Sequence, residues 1–266
     1  MVSNAGEIRQ ASTLLLVRDT DDGLEVFMLM RHLRSDFAGG AYVFPGGKVD
    51  ATDIGWGQHP LITGLDEKTA NQKLALDEGG IAYWIAAVRE CFEEAGVLMA
   101  YDSQGELLDL SAADAHEKFS LLRDKVHKDP DTLANICEQE QLTLALDKIY
   151  YFSHWITPEG APKRYDTRFF LAVAPPQQIG HHDQHETVDH RWIQPQQALH
   201  ECEQGKFTMI FPTIKNLQEI AQYDTTETLI EAVKAKSSFP AILPKLVRGE
   251  DGQVQLLIPG DTGYPQ

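Results

Sequence analysis

Three glutamates crowd the stretch Ala86-Ala-Val-Arg-Glu-Cys-Phe-Glu-Glu-Ala-Gly-Val97: Glu90, Glu93 and Glu94, preceded by Arg89 and followed by Gly96. At a helical period of 3.6 residues, Glu90 and Glu94 lie one above the other, with Glu93 beside them. Val88, Cys91, Phe92 and Ala95 fall on the other face, which would anchor the helix to a core. Carboxylates crowded on an anchored helix repel one another. A hard divalent cation bound through oxygen, Mg²⁺ or Mn²⁺, relieves that repulsion. Taken alone, the run also describes a solvated acidic face.

The elements around this helix read as a mixed α/β fold. Ala11–Val17 and Leu24–Met30 are expected strands joined by the turn Asp19–Gly23. A short strand Ala41–Phe44 runs into Pro45-Gly46-Gly47-Lys48. Residues 54–78 look like a loop plus a short helix. The acidic helix spans about Ile81–Ala95, with Gly96 as its C′ residue. Val97–Tyr101, Tyr150–Ile156, Arg168–Val173 and Thr187–Ile193 are further expected strands. Residues 112–140 and 206–236 are largely helical, Pro195 opens a helix at its N1 position, and Val254–Ile258 reads as an added strand.

The chain of 266 residues carries a formal charge of −17. That is a poor footprint for gripping nucleic-acid backbone or an anionic membrane, although local Arg, Lys and a metal can still favour a phosphorylated small molecule. Cys91, Cys137 and Cys202 are odd in number and widely spaced, which points to reduced thiols. Met1–Glu7 lacks the features of a signal peptide, no apolar run approaches 18 residues, and the C-terminus carries no address signal. The cytoplasm is the expected compartment.

Phe44-Pro45-Gly46-Gly47 and Arg89-Glu90-Cys91-Phe92-Glu93-Glu94-Ala95-Gly96-Val97, taken together, resemble the Nudix hydrolase superfamily. Its box reads G-x5-E-x7-R-E-U-x-E-E-x-G-U, with U a bulky apolar residue. Five residues separate Gly47 from Asp53, where the family usually has Glu. Between Asp53 and Arg89 stand 35 residues in place of 7, an insertion of 28. A box split in this way resembles the peroxisomal acyl-coenzyme A diphosphatases and their bacterial relatives. The segments Ser35–Phe44, Trp155–Pro158 and Arg164–Phe170 are similar to that branch too. The resemblance implies a Nudix-type α/β/α sandwich with a mixed sheet over residues 8–205, with 54–81 inserted in the box. Residues 206–266 would be a helical extension and tail packed on the same domain.

The resemblance also implies roles. Glu90, Glu93, Glu94 and the Gly47 carbonyl would ligate Mg²⁺ or Mn²⁺, and Arg89 would hold a box carboxylate in place. Water attacks phosphorus in a diphosphate linked to another moiety, and a carboxylate takes the proton. Glu90 and Glu186 are the candidate bases. Arg31, Arg34, Lys163, Arg164 and Arg168 are candidates to meet substrate phosphates, each equally a solvated strand end. His181, His182, His185 and His190 lack zinc-site spacing and read as a polar loop. Trp155 and Phe169 could stack on a base but read more simply as core. The expected substrate is a small nucleoside diphosphate derivative, coenzyme A or its thioesters foremost. ADP-ribose, NADH, a nucleotide sugar, a dinucleoside polyphosphate or a capped RNA end are the alternatives, along with a regulatory domain without catalysis. The inserted Trp56, Pro60, Leu61 and Ile62 would cover the site, shape an acyl pocket or build the contact of a homodimer. The split box requires that 54–81 loop out and leave Gly47 beside the glutamates.

Overall fold

The computed structural model describes residues 8–35, 38–248 and 253–265. Met1–Glu7, two positions of the Ser35–Phe44 loop and Gln266 lie outside the described residues. The first hairpin pairs β1 (Ile8–Thr20) with β2 (Gly23–Arg31). Leu14, Leu15, Leu16 and Val17 are all fully buried, so β1 is covered on both faces, as a central strand requires. Two short strands follow, β3 (Tyr42–Val43) on β2 and β4 (Gly46–Lys48) on β1.

α1 (Ala51–Ile54) runs up to the insertion, which holds one 3-10 turn, β5 (Ile62–Thr63) and α2 (Glu67–Leu74), and leads into α3 (Gly80–Ala95), the acidic helix. The strand expected at Val97–Tyr101 shortens to β6 (Ala100–Tyr101), because the Leu98 N–H and carbonyl bond the Gln178 side chain instead of a neighbouring strand. The helical stretch 112–140 is two helices, α4 (Ala113–Lys128) and α5 (Thr132–Gln139), broken at Pro130. β7 (Thr143–Ala145) joins β5 and β6 in a small sheet.

β8 (Tyr150–Ile156) and β9 (Arg164–Val173) come next. β9 begins four residues before the expected Arg168. It pairs in parallel with β1 from Ile8↔Arg164 to Val17↔Val173, and its polar first half showed no apolar alternation. The chain closes with β10 (Thr187–Ile193), α6 (Pro195–Glu203), α7 (Phe211–Ile220), α8 (Thr226–Ala235), β11 (Ala241–Ile242) and the hairpin of β12 (Lys245–Arg248) with β13 (Val254–Leu257).

The main sheet runs β10-β2-β1-β9-β8-β11 and is mixed: β1 and β9 are parallel, as are β8 and β11. One face packs Leu14, Leu16, Phe27 and Phe170 with Trp84, Val88 and Phe92 of α3. The other packs Leu15, Val17, Met28 and Leu171 with Ala198, Leu217, Leu229 and Val233 of α6, α7 and α8. The result is the α/β/α sandwich. The described residues from 206 onward are built into it twice over, through this second core and through β11 at the sheet edge.

Trp56, Ala70 and Leu74 of the insertion are buried in the first core, with Leu61 and Ile62 packed against it, while Pro60 is exposed. Glu67 Oε1 accepts the backbone N–H of Gly79 at 2.7 Å and of Gly80 at 3.1 Å, and Oε2 that of Ile81 at 3.3 Å. Asn71 Oδ1 accepts Gly80 N–H as well, at 2.7 Å. These are the orphan donors of the α3 N-terminus. The insertion therefore caps the acidic helix.

Candidate active site

β4 turns directly over α3. A Cβ on Gly46 would lie 2.5 Å from the Ser12 carbonyl oxygen, and one on Gly47 would lie 2.5 Å from Glu90 Oε1. Neither position tolerates a side chain where it stands. Gly46 N–H donates to Glu94 Oε2 at 2.9 Å, tying the turn to the helix. Despite the 28 extra residues, Gly47 stands beside the glutamates.

Arg89 is buried beneath them. Its Nε and Nη2 donate to the two oxygens of Asp53, each at 2.9 Å, a bidentate pair. Nη1 donates to Glu90 Oε1 and Glu93 Oε1, both at 2.9 Å, and Nη2 also reaches the Lys48 carbonyl. Asp53 is fully buried, and its Oδ2 accepts Asp50 N–H at 2.7 Å. It is thus a strut for Arg89 and α1, and does not line the cavity beside the glutamates.

Burial pushes the Glu90 carboxyl up to about 7; the negative charges of Glu93 and Asp53 add to this and Arg89 opposes it. Burial also raises Glu94 well above the usual carboxylate range, with repulsion from Glu90 next in importance and Arg31 opposing. Glu93 is raised by burial against the pull of Arg89. Glu90 and Glu94, both raised by burial and the second also by the charge of the first, are hard oxygen donors short of positive charge. Among the described residues no three Asp, Glu, His or Cys side chains already form a complete ligand set. Mg²⁺ does not ask for one, since it is held by one or two carboxylates plus waters and substrate phosphate. The residues present fit such a cation.

These groups line a cavity of about 680 Å³. Its floor is one face of the sheet: Arg9, Ala11 and Thr13 of β1, then Tyr165, Thr167 and Phe169 of β9. Of the expected phosphate contacts, Arg31 and Lys163 line it. Arg31 Nη2 lies 3.5 Å from Glu186 Oε2, and Arg31 Nε is buried without a hydrogen-bond partner. Glu186 also lines the cavity, on a loop held by Asp183, whose Oδ1 accepts the N–H groups of His185, Glu186 and Thr187.

Three expected contacts are not brought to the cavity. Arg34 is exposed on a turn where its N–H donates to His32 Nδ1. Arg164 Nε donates to the Thr157 carbonyl at 3.2 Å. Arg168 does point inward, but to the α3 side, bonding Asp166 and His154 and lying 5.4 Å from the Tyr83 ring centre. The cause is the strand period of two: Tyr165, Thr167 and Phe169 take the cavity face of β9, so Arg164, Asp166 and Arg168 take the other. The same alternation extended back from Ala11 would have exposed Arg9, which sequence reading missed along with Lys48.

None of residues 54–81 lines this cavity; its far wall is Ile210, Phe211, Pro212, Pro244 and Leu256, with Trp155 from β8. Trp155 and Phe169 are at once buried core and cavity wall. The histidine loop lies elsewhere. His181, His182 and His185 line a second cavity of about 310 Å³ with His116, His127 and Arg123, and His182 Nδ1 is 2.7 Å from His190 Nδ1.

Comparison with known proteins places these features in context. A model of the NUDT19 Nudix domain matches residues 57–220, more than half of the chain. The acyl-coenzyme A diphosphatase NUDT19 of Xenopus laevis is 27% identical over 274 residues, covering 91% of this chain and 72% of its own. The human protein of the same name is 27% identical over 278 residues, covering 91% and 73%. A crystal structure of a Nudix hydrolase from Alicyclobacillus acidocaldarius superposes with a TM-score of 0.71 at 25% identity, covering 88% of this chain and 99% of that one.

Proposed function

Because the chain belongs to the NUDT19 Nudix domain family and is a Nudix hydrolase, we propose that it cleaves the diphosphate of coenzyme A and its thioesters with Mg²⁺ or Mn²⁺. The names of its relatives support the substrate class. The observation that carries the reading is one continuous cavity that joins the buried glutamates and the basic Arg9, Arg31 and Lys48 to an apolar wall. A substrate with a diphosphate at one end and a long uncharged arm at the other matches that division.

Glu90, Glu94 and Glu93, with the Gly47 carbonyl, would hold the cation. When bound, it polarises phosphoryl oxygens and lowers the pKa of the attacking water. Arg89 fixes Glu90 and Glu93, and Gly46 fixes Glu94, so the carboxylates are oriented before substrate arrives. Arg31, which lines the cavity beside the glutamates, takes a phosphate oxygen. Glu90, held by Arg89 beside the cation site, is the first candidate base. Glu186 is the second candidate base, 53% exposed and close to Arg31. The same reading puts the protein in the cytoplasm, where Cys91, Cys137 and Cys202 stay reduced.

The test is a product assay with Mg²⁺ and with Mn²⁺ on coenzyme A, acyl-coenzyme A, ADP-ribose, NADH and diadenosine polyphosphates. Coenzyme A compounds should give the highest kcat/KM. A higher value for any other member of the panel withdraws the substrate class and leaves the chemistry. Turnover that survives Glu90→Gln and Glu94→Gln withdraws the chemistry.

A further inference from the structure

Strand register turns the cavity floor into a ruler. Lys48 of β4 pairs with Ala11 of β1, Ala11 with Thr167 of β9, and Thr167 with Trp155 of β8. Three steps between neighbouring strands, each about 4.8 Å, put Trp155 about 14 Å from the box turn that carries Gly47. Beyond Trp155 the wall is Phe211 from the start of α7, Pro244 before β12 and Leu256 in β13. Phe211 stands edge-on to Trp155, with ring centres 6.0 Å apart. Pro244 and Leu256 lie past residue 220, where the match to the family domain ends.

We infer that Trp155, Phe211, Pro244 and Leu256 form the subsite for the thioester end of an acyl-coenzyme A, and that the C-terminal hairpin selects its acyl chain. The inference rests on the proposed coenzyme A activity. Thirteen bonds separate the nearer phosphorus of coenzyme A from its sulfur, about 16 Å at the roughly 1.2 Å per bond of an extended peptide-like chain. With phosphorus over the glutamates, the sulfur therefore emerges beside Trp155, and whatever it carries runs along Phe211 and Leu256. That wall is apolar, as a fatty chain requires and a nucleobase with its ring of hydrogen-bonding groups does not. Each methylene laid on it should raise kcat/KM roughly three- to fourfold until the wall ends.

The experiment measures kcat/KM for free coenzyme A, for acyl-coenzyme A from two to twelve carbons, and for ADP-ribose, which lacks the arm. Wild-type protein, Leu256→Gln and Leu256→Trp are compared. Leu256 is half-buried on a surface hairpin, so both variants should fold. In the wild type kcat/KM should climb with chain length. Leu256→Gln should flatten that climb and lower the ratio of eight-carbon substrate to ADP-ribose at least tenfold. Leu256→Trp should move the optimum to shorter chains. A wild type that prefers acyl-coenzyme A, with variants that keep its chain-length profile, overturns the subsite alone. Variants that lower ADP-ribose and acyl-coenzyme A in equal proportion also overturn it, since the wall would then hold the nucleoside. A wild type that turns over ADP-ribose but no coenzyme A compound overturns the proposed function, and the subsite with it.

Discussion

Arg89 donates five hydrogen bonds, to Asp53, Glu90, Glu93 and the Lys48 carbonyl, while almost wholly buried. A charge so placed needs an ionised partner against it, and Asp53, which meets it with both oxygens, is that partner. Asp53→Ala should therefore cost about 3 kcal/mol of folding stability, read as a lower urea midpoint, because half of the guanidinium loses its counter-ion. A midpoint unchanged in Asp53→Ala would show that Glu90 and Glu93 suffice. The glutamates make a second prediction. Glu90 has its pKa raised by burial from 4.5 to about 7, so between those values the folded protein holds a proton that the unfolded chain has released. The sign follows from linkage: stability of metal-free protein rises as pH falls through about 7 and approaches its full gain near 4.5. Thermal melts in chelator should show a higher Tm at pH 6 than at pH 8, and Mg²⁺ should raise Tm more at pH 8. A metal-free Tm that rises with pH across this range would contradict the burial of Glu90.

Among the elements, α3 depends on a neighbour for its start. Gly79 and Gly80 offer no side chain to satisfy the first N–H groups, and Glu67 of α2 does so from 12 to 14 residues upstream. A carboxylate there also meets the positive end of the helix dipole. Glu67→Ala should cost about 1–2 kcal/mol and loosen the first turn of α3, read by faster amide exchange at Gly80 and Ile81. Unchanged exchange would mean that Asn71 caps the helix alone. The insertion that splits the box is thus a support for the helix that carries the carboxylates, packed behind it and away from the substrate cavity.

For the molecule as a whole, two cores share one sheet. Leu229 and Val233 of α8 are buried with Leu15, Val17 and Met28 from the strands that hold the box turn. Residues 206–266 should then unfold together with the rest, in one transition. Leu229→Ala should lower the stability of that single transition by about 3 kcal/mol, the usual cost of emptying a core leucine site. A separate early transition seen in calorimetry would mark the C-terminal segment as an independent unit. This arrangement also explains why that segment can wall the cavity: α7 is anchored by its buried Leu217 and Ile220, and the β12–β13 hairpin follows directly on β11, which pairs with β8.

The acidic helix, its Gly96 stop, the tight turn at Gly46-Gly47 and the buried β1–β2 hairpin were legible in the chain itself. Each depends on spacing within one element, where the helical or strand period assigns every side chain to a face. The family box was legible for the same reason, since its two halves are short local patterns. What local pattern could not supply was which face of one element meets which face of another. Arg168, a candidate phosphate contact by sequence, does point inward, but the pairing of β9 with β1 and β8 turns it towards α3 and leaves Thr167 and Phe169 over the cavity. Asp53 reads only as the residue standing where the family usually has Glu, and the approach of Arg89 from 36 residues away makes it a strut. The cavity wall of Phe211, Pro244 and Leu256 has no signature at all, because it exists only where the end of the chain folds back beside β8. Contacts between segments far apart in sequence are set by the packing of whole layers, and that packing decided the substrate side of this site.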